Sequence, residues 1–148
     1  MSMNLRKKVL RDERGASAVE FAVIAATLIT ILVGITQFGV LFFQWLEIVH
    51  AAREGARWAS LENVGGSIMI EGTTRYKVYR AAPGLSPRLA DANIIVDPEN
   101  TTDDDAKRNP VTVTVWYDTP VFTPVMRGVL GTGGPTFRLQ SSATQMVE

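Results

Sequence analysis

The chain has 148 residues, a length that favours a single domain. Its 15 Lys and Arg balance 15 Asp and Glu, so it lacks the basic surplus that electrostatic binding of nucleic acid requires. It contains no Cys, which removes disulfides, thiolate metal sites and Cys nucleophiles together.

The charge is unevenly spread. Residues 1–15 carry Arg6, Lys7, Lys8, Arg11 and Arg14 against only Asp12 and Glu13. From Phe21 to Leu46 there are 26 residues without a charge. A membrane-spanning helix needs about 20 mostly apolar residues, so this run is long enough. Thr27, Thr30, Thr36, Gln37 and Gln44 make it less greasy than a pure lipid span. The basic leader predicts a cytoplasmic N-terminus and an exported C-terminal portion. A secretory signal peptide is the competing reading. It needs a shorter apolar region, about 7–15 residues, followed by a small-residue cleavage site. Here the run continues through Val40, Leu41, Phe42 and Phe43 without a turn signal.

Residues 47–61, EIVHAAREGARWASL, keep the helical period. Ile48, Val49, Ala52, Ala56 and Ala59 fall mostly three and four residues apart, with His50, Arg53, Glu54 and Arg57 on another face. The spacing predicts one rod over residues 17–61, roughly 65 Å long at 1.5 Å per residue. Asn63 and Gly65-Gly66 supply its stop. One face of this second half is built of small residues: Ala51, Ala52, Gly55, Ala56 and Ala59. A mid-helix Gly costs about 1 kcal/mol relative to Ala, which close approach of another backbone can offset. The partner is the chain's own sheet or a neighbouring helix, and own-sheet packing is the simpler expectation.

A shorter helix is expected over residues 73–82, ending at Pro83-Gly84; residues 87–92 are left unassigned. Asn93–Val96 reads as a short strand and residues 97–110 as a polar loop. VTVTVWY at 111–117 alternates Val111, Val113, Val115 and Tyr117 with Thr112, Thr114 and Trp116, the clearest strand signal in the chain. Pro120 and Pro124 bracket an extended edge or loop, residues 127–135 read as a flexible turn, and residues 136–147 alternate again as a last strand. The fold class is therefore α+β: a long N-terminal helix, membrane-spanning in its first half and amphipathic in its second, packed on a small antiparallel sheet.

Other constellations favour ordinary readings. Asp97, Glu99, Asp103, Asp104 and Asp105 cluster in one loop, but they lack calcium-loop spacing and sit beside Lys107 and Arg108. His50 is the only His and has no metal-binding companions; Glu47 and Glu54 are its expected ion partners on the helix. Gly131, Gly133 and Gly134 lack the phosphate-loop pattern and meet Pro135. Trp45 falls where the apolar run ends, as interfacial aromatics do, and Trp58 is an anchor on the second half.

Residues 14–21, RGASAVEF, place Gly15 between the basic leader and the apolar run, with Glu20 five residues beyond Gly15. This resembles the type IV prepilin processing site. Together with Gln37-Phe38-Gly39, AAREGAR at 51–57, the strand VTVTVWYDTP and the ending SSATQMVE, it resembles the TadE-like family, pseudopilins or minor pilins of the Tad (tight adherence, Flp) pilus machinery. The length suits the shorter members and not a large TadG. The resemblance implies a pilin-like organisation: a cytoplasmic leader over residues 1–15, a transmembrane assembly helix over 16–46 and an exported α+β domain over 47–148. Prepilin peptidase would cut between Gly15 and Ala16. Glu20 and Phe21 would serve assembly, and Ala52, Gly55 and Ala56 helix packing.

Glu20 also carries its own physical argument. A carboxylate at the edge of an apolar helix costs up to a few kcal/mol in a bilayer. After cleavage Ala16 bears a charged amine, one helical turn from Glu20. The carboxylate can pair with its own chain's amine or with that of the next subunit. The plain alternative is a helix-start glutamate favoured by the dipole and without a partner.

The resemblance thus implies a structural subunit without catalytic activity, cofactor or metal. It would be anchored once in the bacterial inner membrane, processed by prepilin peptidase and associated with other pilin and pseudopilin subunits, with no small-molecule substrate. Two rival readings are an unprocessed single-pass adaptor of a secretion complex and a signal-anchored periplasmic enzyme. The second needs a catalytic constellation in residues 62–148 that the sequence does not supply.

Overall fold

The computed structural model describes residues 3–61, 65–98 and 110–146. Helix α1 spans Met3–Leu61. It begins well before residue 17, because the leader is made of good helix formers with no Pro or Gly before Gly15. The chain divides into two compact units, Met1–Phe38 and Gly39–Glu148.

The described side chains of the first unit are almost all exposed, although most are apolar. Val19, Phe21, Val23, Ile24, Leu28, Ile29, Leu32 and Ile35 all face outward. Its three threonines in the apolar run are satisfied within the helix. The hydroxyls of Thr27, Thr30 and Thr36 donate to the carbonyls four residues back, at 3.0, 2.8 and 2.9 Å. Those bonds remove the donors that would otherwise be costly in hydrocarbon.

The second unit packs the later part of α1 on a three-stranded antiparallel sheet. The sheet comprises β1 (Ile94–Asp97), β2 (Pro110–Pro120) and β3 (Thr136–Met146), in the order β1-β2-β3. Ile94 pairs with Val115, and Tyr117 with Leu139. One sheet face buries Ile94, Val96, Val111, Val113, Val115, Tyr117 and Leu139. Against it lie Ile48, Ala51, Ala52, Ala56 and Ala59 of α1, with Val78 and Ala82 from the region of helix α2 (Thr74–Ala81). Two-residue alternation on β2 and three- to four-residue recurrence on α1 thus produce complementary apolar faces. Trp116, on the other face of β2, carries Arg138 4.2 Å above its ring; Arg138 also pairs with Asp118 at 2.8 Å.

The described strands shift slightly from expectation. β1 starts at Ile94 because Asn93 closes a 3-10 turn, Asp91–Asn93, and its side chain accepts from the Ala90 amide at 2.9 Å. Pro120 sits inside β2, as its last residue, where a missing N–H interrupts little of the ladder. The turn expected over 127–135 is found only over 131–135, and its first part is a correction. Helix α3 occupies Pro124–Leu130. Thr123 caps it by accepting from the Met126 amide at 3.3 Å, Pro124 opens its first turn, and Gly131 ends it at φ +66°. Glu99, Asp103, Asp104 and Asp105 of the acidic loop, Asn63 of the expected helix stop and Val147 at the expected strand end lie outside the described residues.

The connection from α1 to α2 is tied down by polar contacts. Thr73 caps α2, its hydroxyl accepting from Tyr76 N–H at 3.2 Å. Arg75 donates to the carbonyls of Gly66 and Ile94. The Asp91 carboxylate accepts from Ser67 Oγ at 2.7 Å and from the Ile68 amide at 2.6 Å, and these bonds hold its acidity below the usual carboxylate range. A carboxyl depressed in the folded state stabilises above its unfolded pKa, and that contribution is lost as pH falls through the folded value. Asp91→Ala should therefore lower the urea midpoint of the full chain in detergent at neutral pH. It should also flatten the acid limb of midpoint against pH. An unchanged acid limb would show that Asp91 is not part of it.

Candidate processing and assembly segment

Gly15, Ala16, Glu20 and Phe21 all lie on α1 in the first unit, and all four are exposed. A Cβ built on Gly15 would meet nothing within 4 Å, so its smallness serves no packing need within the described chain. Ala16 and Glu20 are one helical turn apart, on neighbouring surface positions. Phe21 is 72% exposed, with the exposed Ile24 three residues on at a neighbouring surface position. This surface is exposed over its whole length: none of the most apolar 18-residue stretch within Gly15–Leu61 is buried. One long apolar N-terminal helix of this kind fits a single-pass membrane anchor.

Ala52, Gly55 and Ala56 lie in the second unit, all buried. A Cβ at Gly55 would collide with Val78 Cγ2 and come within 3.1 Å of Val113 Cγ1. The atoms met at Gly55 therefore belong to the chain's own α2 and β2. A second close approach was not legible in advance. Gly84, read from sequence only as a helix stop, would place a Cβ 2.7 Å from Phe43 Cζ and 3.3 Å from Glu47 Cδ. The Gly84 amide donates to Glu47 Oε2 at 3.1 Å. Two residues separated by 37 positions gave no local signal of that contact.

The charged face of the helix is arranged differently from the expected His50 pairing. Glu54 pairs with Arg57 at 2.7 Å. The Arg57 hydrogen bonds hold the Glu54 carboxyl below its ordinary range, and His50 contributes only as a more distant charge. His50 itself is exposed. Trp58 donates from Nε1 to the Gly72 carbonyl at 3.2 Å, and Lys77 Nζ lies 3.9 Å from its ring centre. Trp45 is 42% exposed and packs beside Phe42, their ring centres 5.9 Å apart. Burial raises the Tyr117 phenol above its usual range, partly countered by the Ser86 backbone. Among the described residues no group of three or more His, Asp or Glu could hold a metal ion.

A helix this apolar and this exposed, joined to a small α+β unit, has a sequence counterpart. Residues 15–57 match the family model described as TadE-like protein. Over these residues the chain is similar to that family. The TadE-like match takes in Gly15, Glu20, Phe21, Ala52, Gly55 and Ala56, and it ends before α2 and the sheet. No curated protein and no solved structure matches the chain.

Proposed function

We propose that the chain is a minor pilin or pseudopilin of a Tad pilus, a structural subunit and not an enzyme. The observation that carries this reading is the TadE-like match to residues 15–57. The exposed apolar helix supports it, because an assembly helix must offer that surface to lipid and to neighbouring subunits. In this reading residues 1–15 are a cytoplasmic leader, 16–46 the inner-membrane assembly helix and 47–148 the exported domain. Prepilin peptidase removes the leader after Gly15. The new Ala16 amine and Glu20 then pair, within one chain or between neighbours, as other pilin subunits join.

Two experiments test this reading. N-terminal sequencing of protein from the native host should give Ala16 as the first residue. Gly15→Leu should leave the leader attached, because a protease reading an extended segment must fit the residue before the scissile bond. A Gly15→Leu chain that still matures to Ala16 would remove Gly15 from the recognition step. Topology is tested separately by fusing a reporter that is active only in the periplasm after Glu148. Activity is expected, since Arg6, Lys7, Lys8, Arg11 and Arg14 hold the N-terminus in the cytoplasm. An intact but inactive fusion would reverse the orientation.

A further inference from the structure

From Thr119 to Phe137 the chain has 19 residues and one charge, Arg127, although 20% of the whole chain is charged. This stretch is the connection between β2 and β3, where an ordinary exposed loop would be polar. It is firmly built. The Val121 amide donates to the Pro135 carbonyl at 2.7 Å and closes its neck. Arg127 Nε donates to the Val121 carbonyl at 3.2 Å, and the Thr132 amide donates to the Arg127 carbonyl at 3.1 Å. Below the neck, Asp118 and Arg138 neutralise each other. This frame holds Phe122 and Val129 outward at 70% and 75% exposure, with Met126 and Leu130 half-buried between them.

The direction of β2 within its unit tells what this surface meets. Val113 lies against Gly55 of α1. Four residues further along β2, Tyr117 lies by Ser86, two residues from Gly84, which rests on Phe43 and Glu47. β2 therefore advances from the Gly55 part of α1 toward its Phe43–Glu47 part. β2 continues that way to Pro120, about 10 Å further, and Phe122 lies two residues beyond its end. That end of the unit also exposes Val40, Phe42, Phe43, Trp45 and Leu46 of α1. Aromatic residues at the end of an apolar helix mark the membrane–water boundary.

We propose that the α3 hairpin is a second membrane contact, inserted into the interfacial layer of the same leaflet from which α1 emerges. Phe122, Met126, Val129 and Leu130 enter the boundary between headgroups and acyl chains, and the Arg127 guanidinium lies at headgroup height. A cation that is the one charge between Thr119 and Phe137 suits a phosphate-rich layer. This inference rests on the reading of α1 as a membrane span. The hairpin fixes the tilt and rotation of the unit above the bilayer, which a single helix leaves free.

The absence of Cys lets single thiols report on this directly. Full-length Val129→Cys, Ile29→Cys and Gln145→Cys chains are labelled with an environment-sensitive fluorophore. They are then reconstituted into vesicles of phosphatidylethanolamine and phosphatidylglycerol. Ile29 lies within the apolar run, and Gln145 at the far end of β3 from the hairpin. The Val129 probe should emit at shorter wavelength than the Gln145 probe. Most of its emission should be lost to a lipid nitroxide placed near the headgroup, less to one at the chain end, and little to aqueous iodide. If iodide quenches the Val129 probe while lipid nitroxide quenches the Ile29 probe, the hairpin proposal fails and the span stands. If iodide quenches both, the span reading fails with it. A Val129 probe shielded from both quenchers would mean that protein covers the hairpin, which also overturns the proposal.

Discussion

Gly55→Leu should abolish cooperative unfolding of the α+β unit, measured by circular dichroism on the full chain in detergent micelles. Gly55 leaves no room for a Cβ between α1, α2 and β2. The two side chains in the way, Val78 and Val113, are wholly buried and β-branched, so neither can rotate aside cheaply. Even Gly55→Ala sets two effects against each other. Helix propensity favours Ala by about 1 kcal/mol. Overpacking a full core costs about 1–3 kcal/mol. A collision with a buried side chain places the second effect ahead, so Gly55→Ala should be less stable than the parent. Leu adds three more carbons at the same point and should consume most of a stability of about 5–15 kcal/mol. The pair Gly55→Ala with Val78→Ala should be more stable than the sum of the single changes predicts, since the second change removes the obstructing methyl. A Gly55→Ala chain more stable than the parent would show that α1 and α2 have room to separate.

The second large effect concerns assembly. Glu20→Ala should leave the α+β unit folded, because Glu20 lies outside it on the exposed part of the helix. The helix should still insert, since removing a charge from an apolar segment favours insertion. Leader removal should largely persist, because Gly15 is unchanged. Incorporation beside other pilins should fail, since an unpaired ammonium in a lipid-facing assembly is costly. Asp at position 20 should retain some function, as the charge survives on a shorter arm. The measurement is piliation of a deletion strain complemented with each variant, with protein level and leader removal followed in parallel. Full piliation by processed Glu20→Ala would leave Glu20 as a helix-start residue without a partner.

The elements that could be read in advance are those whose burial follows a local period. Val111, Val113, Val115 and Tyr117 alternate in sequence and all four are buried. Ile48, Ala52, Ala56 and Ala59 recur at helical spacing and are equally buried. Val49 completes that spacing but is only half-buried, because Ala51 takes the core position beside Ala52. Helix α3 was missed although its signals were present: Thr123-Pro124 is a cap followed by a first-turn proline, and Gly131 is a helix stop. The glycines from 128 to 134 and the shortness of the segment pointed to a turn instead. The contact of Gly84 with Phe43 and Glu47 has no period at all, since it depends on how a distant turn meets the helix. The candidate segment around Gly15, Ala16, Glu20 and Phe21 is legible only as a pattern of residue types. Its helix places Ala16 and Glu20 one turn apart, and neither packs against the rest of the described chain.

Helix α1 contributes Leu41, Gln44, Ile48, Ala51, Ala52, Ala56, Ala59 and Ser60 to the buried interior of the second unit. The helix that carries the apolar run is thus also one of the two layers of the fold. A protease cutting between Ala52 and Ala56 would divide that layer. It would leave part of the helical cover of the β2 valines on one fragment and the sheet on the other. The sheet keeps its covered face only while this helix stays with it.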